Sequence, residues 1–433
     1  MRQNVIIGAG LSGMSTAFHL GRDYELFEKE AQPGGLVITH ERQGFHFDVT
    51  GHWLHMRDNG IRDMVQKLMP GKLTDVTRDS RIFSKGVYTL YPFQTNTFGL
   101  PVETVKEIIQ GFIKARYETV WSGEPATFEE WVLRHMGEGI AKHFMIPYNE
   151  KLWLTHPRDM TPLWCQIYVP KPTLDQILDG ALRPPTDVIG YNASFTYPKK
   201  GGIGALSAAL AKALPQEHLH YNVHPLRIDA KKRCLTLSDG RSIGYKNLVS
   251  TMPLDELIPL IADAPLAVRT AATKLVKNQV YYFNVGLNRK PGNGAHWIYF
   301  PEKPFTFYRA GCYSSAVPSM APKGGASLYV EISHRGQLPP QKALWQQVEK
   351  GLMESGFLRS RDDVVFVEGR NIPCAYVVFD ANWKSSLDRI FPWLTQHGIH
   401  SIGRYGRWTY NSMETALIDG RETARAITDG PTS

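Results

Sequence analysis

The chain opens with short apolar runs separated by a helical stripe, and in its second half it changes to two-residue alternation. Val5-Ile6-Ile7 is uninterrupted, as in strands buried on both faces of a parallel sheet, and stops at Gly8-Ala9-Gly10-Leu11-Ser12-Gly13. Met14, Ala17, Phe18 and Leu20 share one stripe, which predicts a helix from Ser12 to Leu20 ending at Gly21. Tyr24 to Glu28 reads as a second strand, completing a βαβ unit. Between about 100 and 165 the period is helical: Val105, Ile108, Ile109, Phe112 and Ile113 form a stripe, and Thr127 with Glu130 reads as a capping box before Trp131, Val132 and Met136. Leu219, Tyr221 and Val223 then alternate, and Leu235 and Leu237 lead through the turn Asp239-Gly240 to a strand at Leu248-Val249. Tyr281, Phe283, Val285 and Leu287, like Leu328, Val330 and Ile332, alternate as half-buried antiparallel strands do, and Phe305 to Tyr308 reads as an aromatic strand. A helix from about Met413 to Ile427 ends the pattern.

This order predicts an α/β protein whose Rossmann-like nucleotide-binding domain is assembled from discontinuous segments. The expected division is 1–90, 195–270 and 390–433 for that domain, 91–194 for an inserted helical domain, and 271–389 for an antiparallel sheet domain. A length of 433 residues suits two or three domains of ~150 residues. With 42% hydrophobic and 21% charged residues, composition argues against disorder and coiled coil. The net charge of +8 fits a polyanionic partner of some kind, but Lys199-Lys200 and Lys231-Lys232-Arg233 are short and lack interleaved aromatics, which speaks against nucleic acid. Cys165, Cys234, Cys312 and Cys374 show neither metal-ligand spacing nor a disulfide framework, so no metal is expected and a reducing compartment is. No signal peptide or membrane span is legible, and the expected location is the cytoplasm, with the oligomeric state open.

The glycines after the first strand carry the first chemical signal. In a G-x-G-x-x-G set between strand and helix, Gly8 allows the tight turn, Gly10 lets backbone approach a pyrophosphate, and Gly13 lets the helix pack close. The helix start at Leu11 and Ser12 supplies free N–H groups, and Glu28, 20 residues after Gly8, suits an adenosine ribose without a 2′-phosphate.

Glu28-Lys29-Glu30-Ala31-Gln32-Pro33-Gly34-Gly35-Leu36 resembles the E-x-x-x-x-x-G-G signature of the FAD-dependent amine oxidase and protoporphyrinogen oxidase superfamily. That resemblance implies FAD, with Gly34, Gly35 and Leu36 near it, Val223 at the adenine, and Gly403-Arg404 before a helix whose start at Met413 and Glu414 faces the flavin. Further segments resemble the UDP-galactopyranose mutase family, especially its eukaryotic-type branch. Gly44-Phe45-His46-Phe47-Asp48-Val49-Thr50-Gly51-His52 is similar to G-F-x-x-D-V-G-G-H, which implies that Gly51 and His52 lie at the flavin and respond to its redox state. Tyr91-Pro92-Phe93-Gln94-Thr95-Asn96 is similar to a uridine-binding element, and Phe144 to Trp153 is similar to F-M-x-P-Y-N-x-K-x-W, which brings Asn149 and Trp153 to the nucleotide. Tyr299-Phe300-Pro301, Phe307-Tyr308-Arg309 and Gly403-Arg404-Tyr405-Gly406 through Tyr410 match segments that imply substrate roles for Tyr299, Arg309 and Tyr410.

The activity implied is interconversion of pyranose and furanose forms of a nucleotide-linked sugar by reduced FAD acting as a nucleophile, with NAD(P)H a candidate reductant. Two positions depart from the family. Tyr168 stands where a second diphosphate arginine is expected, leaving Lys171, Lys199 or Lys200 as candidate substitutes, and Trp383 stands for a substrate tyrosine. Structural alternatives are a turn-capping His52, an Arg309 paired with Glu331, and Phe93 and Trp153 as core residues. Functional alternatives are an FAD oxidoreductase of the amine oxidase or protoporphyrinogen oxidase type acting on another small molecule, a mutase-like enzyme with an altered nucleotide-sugar substrate, and a non-catalytic FAD-stabilised binding protein.

Overall fold

Val5, Ile6 and Ile7 lie in the middle of a five-stranded parallel sheet, at most 4% exposed, so no polar face interrupts their sequence. The strand order is Ile399–Ser401, Asn247–Ser250, Asn4–Ile7, Glu25–Phe27 and Leu219–His220. The computed structural model describes residues 3–165, 169–184 and 193–429. Helix Leu11–Leu20 follows the central strand, and the C-terminal helix Met413–Asp429 packs on it, with Ser15 Oγ donating to the Leu417 carbonyl at 2.6 Å. Three segments far apart in sequence thus build one α/β layer, as the pattern predicted.

A seven-stranded sheet forms the second half, in the order Val364–Val377, Lys277–Leu287, Ala326–His334, Arg309–Cys312, Trp297–Tyr299, Ser80–Ser84 and Val87–Leu90. Its neighbours are antiparallel except Trp297–Tyr299 with Ser80–Ser84. The expected nucleotide-domain segment 1–90 therefore ends inside another sheet. Arg81 and Ile82 pair with Ile298 and Tyr299, a long-range match that local periodicity does not encode. Helices Val102–Ile113, Phe128–Ile140, Ile146–Trp153 and Leu174–Leu182 form the helical layer over the pocket side of this sheet. Thr127 Oγ1 caps the second of them by accepting from Glu130 N at 3.2 Å, while the Glu130 carboxylate reaches Ala126 N at 2.8 Å.

Two expected strands are shorter or absent, for reasons visible in the hydrogen bonding. The alternation from Leu219 to Val223 yields only Leu219–His220, because the chain turns so that Val223 N can reach the Glu28 carbonyl at 2.9 Å. Phe305 to Tyr308 forms no strand, since the Lys151 ammonium holds the carbonyls of Phe300, Glu302 and Phe307 at 2.7, 3.0 and 2.7 Å. Burial pulls the Lys151 pKa down to about 7.

Candidate functional site

The crevice lies beyond the carboxyl ends of the central strands, where open parallel sheets bind their ligands. There Gly8 follows Ile7, Thr251 follows Ser250, and Gly403 follows the edge strand. Thr251 Oγ1 donates to the Ile7 carbonyl at 3.0 Å, and Gly403 lies against Ser12 Oγ, joining residues 391 positions apart at the start of the first helix. A Cβ on Gly13 would overlap the Gly8 carbonyl, so only glycine lets that helix approach its strand. Nothing stands within 4 Å of where a Gly10 Cβ would point, while Gly35 packs close on Gly10, whose Cα would lie 3.3 Å from a Cβ added at Gly35. The helix has no side-chain cap, which leaves its first N–H groups to a ligand.

Glu28 is 6% exposed at the end of the second strand, accepting from Ala9 N at 2.6 Å and Glu30 N at 2.9 Å. Gly34 N donates to the Ala9 carbonyl at 2.8 Å, so the second glycine pair is bound to the first. Gly8, Gly10, Leu11, Ser12, Gly13, Glu28, Gly34, Gly35, Leu36, Val223 and Gly403 can accordingly hold a dinucleotide along one slot. Met413 begins the C-terminal helix as expected, and the Glu414 carboxylate accepts from the backbone N–H groups of Arg57 and Asp58.

A second group of side chains meets around the loop from Asp48 to His52. Glu331, on the strand Ala326–His334, is 1% exposed. It binds Arg309 through Nε at 2.9 Å and Nη2, accepts from Tyr308 Oη, and lies 3.4 Å from Gly51 N. Arg309 also donates to Tyr376 Oη at 3.0 Å and lies 3.9 Å over the Trp297 ring. Tyr376 stacks on Tyr410 with centroids 6.4 Å apart, and the Arg404 guanidinium sits over Tyr410 at 4.7 Å. Tyr91 stacks on Tyr299 at 5.0 Å, and Tyr148 meets Tyr299 edge-on at 5.1 Å. Burial raises the hydroxyl pKa values of Tyr91, Tyr148, Tyr299 and Tyr410, so these groups stay neutral hydrogen-bond donors. Burial lowers the His52 imidazole to about 4, against the opposing hydrogen bond to the Val49 backbone and the Glu331 charge, with Arg404 and Arg309 adding smaller downward effects, and its Nδ1 has no side-chain partner.

The predicted site residues thus separate into three positions. His52, Gly51, Tyr91, Tyr299, Arg309, Arg404 and Tyr410 converge. Phe93, Gln94, Asn149 and Trp153 form a layer behind them: Phe93 stacks on Phe144 at 4.9 Å, Gln94 Nε2 donates to the Pro170 carbonyl at 2.9 Å, and Trp153 Nε1 donates to Asn149 Oδ1 at 2.9 Å. Trp383 lies apart, its Nε1 donating to the Trp408 carbonyl at 2.8 Å, because it begins the helix Trp383–Gln396 instead of continuing the strand that carries Tyr376. Tyr168 lies outside the described residues. The proposed lysine substitutes have other partners or exposure: Lys171 sits over Trp131 at 5.6 Å, Lys199 donates to the Gly71 carbonyl at 3.0 Å, and Lys200 is exposed. Sequence reading missed Arg78, Tyr148, Trp297 and Tyr376. Tyr148 lies inside a quoted motif; the other three carry no local signal.

Residues 11–428 match the family described as flavin containing amine oxidoreductase. The chain belongs to that family. Its cofactor is FAD, and the open slot before Gly10 and the uncapped helix suit that group. Among solved structures, the chain is similar to a reduced UDP-galactopyranose mutase, with 28% identity, a TM-score of 0.94, and coverage of 100% of this chain and 97% of that one. A putative protoporphyrinogen oxidase from Exiguobacterium sp. 255-15 matches with TM-score 0.76 and 15% identity over 98% of both chains. Cyclohexylamine oxidase from Brevibacterium oxydans IH-35A matches with TM-score 0.69 and 15% identity over 99% of this chain and 98% of that one. The last two share the fold. Among the described residues no group of three or more His, Cys, Asp or Glu side chains could hold a metal ion. Among the same residues no helix is long and apolar enough to cross a membrane.

Proposed function

We propose that the enzyme interconverts pyranose and furanose forms of a nucleotide-linked sugar with reduced FAD. The observation that carries this reading is the cluster of neutral tyrosine hydroxyls around the His52 loop together with two guanidiniums, the half-buried Arg404, which has no carboxylate partner among the described residues, and the buried Arg309, which is paired with Glu331. Such a cluster favours an anionic leaving group and disfavours the ammonium form of an amine substrate. Similarity at 28% identity to a reduced UDP-galactopyranose mutase supports it further.

When bound, reduced FAD supplies the nucleophile. The protein's own residues do the remaining work. Tyr91, Tyr299 and Tyr410 offer hydroxyl donors to phosphate oxygens, and burial makes each such bond stronger than in water. Arg309 orients Tyr376 and, through Glu331, the Gly51 N–H of the histidine loop. His52, neutral at pH 7, leaves the pocket without a strong acid beside the ring of the sugar. Phe93, Phe144 and Tyr148 stack behind the site and exclude water.

Incubation of the purified flavoprotein with UDP-galactofuranose, with and without dithionite, tests the reading. Turnover confined to the reduced enzyme is the expected result. Absence of turnover, with anaerobic bleaching of the flavin by an amine or a saturated ring, replaces it with an oxidase.

A further inference from the structure

Among the described residues three guanidiniums reach the tyrosine cluster, and one of them has a carboxylate partner. Arg309 is neutralised by Glu331. Arg404 is anchored by backbone, donating to the Ala375 carbonyl at 3.1 and 3.2 Å and the Asn411 carbonyl at 3.0 Å, and it follows the glycine that lies against the first helix on the cofactor side. Arg78 is 8% exposed, its Nε is buried without a partner, and its Nη2 makes one long contact of 3.5 Å to Tyr299 Oη. Among the described residues it has no carboxylate partner. The adjacent Asp79 is held bidentately by Arg81 at 2.8 Å.

The surroundings of Arg78 do not offset the cost of its burial. The ring centroids of Tyr91 and Trp297 lie 5.4 and 5.6 Å from its guanidinium carbon, and such cation–π contacts repay only part of the desolvation cost of a buried, unpaired ion. The facing His55 adds no negative charge; burial and then the Arg78 charge push its imidazole down to about 4. The backbone is fixed on both sides, by Arg78 N to the Ala193 carbonyl at 2.9 Å and by Asp79 N to His296 Nδ1 at 3.2 Å. The side chain is therefore aimed at the two tyrosines and lacks an anion there.

We propose that Arg78 binds the anionic phosphate group of the substrate, with Tyr299 and Tyr91 beside it, while Arg309 serves to hold Glu331 and Tyr376. This rests on the nucleotide-sugar reading and specifies which cation carries it. The planar fork of Arg78 suits two oxygens of one phosphate, and Tyr299 Oη is placed to donate to a third.

The test titrates the FAD-loaded protein with UDP, inorganic pyrophosphate and uridine, following flavin fluorescence and the thermal midpoint. Arg78→Gln is expected to raise the Kd for UDP and pyrophosphate at least tenfold, leaving uridine binding and FAD content unchanged. Arg78→Lys keeps the charge without the fork and is expected to fall between Gln and wild type, so it reads the same effect if the Gln variant does not fold. Wild-type affinity for UDP in FAD-loaded Arg78→Gln overturns the inference and leaves the nucleotide reading intact. So does a changed flavin spectrum with unchanged anion affinity, which would place Arg78 at the cofactor. A wild-type protein that responds to neither UDP nor pyrophosphate overturns both.

Discussion

The cofactor slot and the tyrosine-arginine pocket adjoin each other, yet they are built from different materials. The slot is backbone: Gly8, Gly10, Gly13, Gly34 and Gly35 shape it, and its contacts to a ligand come from N–H groups and a helix end. The pocket is side chain: Glu331, Arg309, Tyr376, Arg404 and Tyr410 come from three strands and the segments after them, and each depends on another for its orientation. A backbone site tolerates no added atom but needs no charge. A side-chain site tolerates reshaping but fails when one half of a buried pair is removed.

The largest effect is expected in the slot. Gly13→Ala places a Cβ inside the Gly8 carbonyl, where backbone cannot move aside, and should cost about 3 kcal/mol or more. The purified variant should lack the visible absorbance of bound flavin and unfold at a lower urea midpoint. If it retains full FAD, the slot is not built on close helix-strand approach.

In the pocket, Glu331→Ala leaves Arg309 charged, buried and unpaired, which should cost about 3–5 kcal/mol in urea unfolding while some FAD is still bound. Glu331→Gln keeps acceptor capacity and should cost less. A Glu331→Ala variant as stable as wild type would mean that Arg309 escapes to solvent, and the distinction between the two regions would collapse.

These two regions were also unequally legible in the sequence. The glycine spacing, the strand before it and Glu28 are local, because tight turns and close approach restrict residue type at fixed offsets. The parallel sheet could therefore be assembled from separated segments. Glu331 was foreseen only as an alternative partner for Arg309, since pairing Arg309 with Glu331 is a register between two strands 22 residues apart. Tyr376 was missed while Trp383 was named, because an aromatic at the start of a helix and one at the end of a strand look alike without the sheet. Arg78 sits in no motif, and what distinguishes it is what fails to surround it.

The seam between the two regions is Asp48. Its carboxylate is fully buried and accepts from Thr39 Oγ1 at 2.6 Å, from Ile203 N at 3.1 Å and from Tyr197 Oη, on the strand residue that enters the His52 loop. Burial is the largest influence and raises its pKa from 3.8 to about 7, against the opposing hydrogen bonds. Between those values the folded protein binds a proton that the unfolded chain releases, so this residue's contribution to stability falls as pH rises from about 4 to 7 and is level above. Asp48→Asn should remove that slope. The difference between the wild-type and variant urea midpoints, measured from pH 4 to 8, checks it; parallel curves would mean that Asp48 is ionised throughout.

The smallest effect separates Tyr376, inside the pocket, from Trp383, which sequence reading named. Tyr376→Phe deletes the acceptor of Arg309 Nη2 and should cost about 1 kcal/mol of stability. It should also weaken UDP binding several-fold, because the freed guanidinium shifts relative to Tyr410. Trp383→Phe deletes the bond to the Trp408 carbonyl, of similar strength, on a helix outside the pocket. Its stability loss should match that of Tyr376→Phe, with UDP affinity unchanged. Equal stability costs make ligand affinity the discriminating measurement: if Trp383→Phe weakens UDP binding as much as Tyr376→Phe does, the pocket extends to the helix at 383.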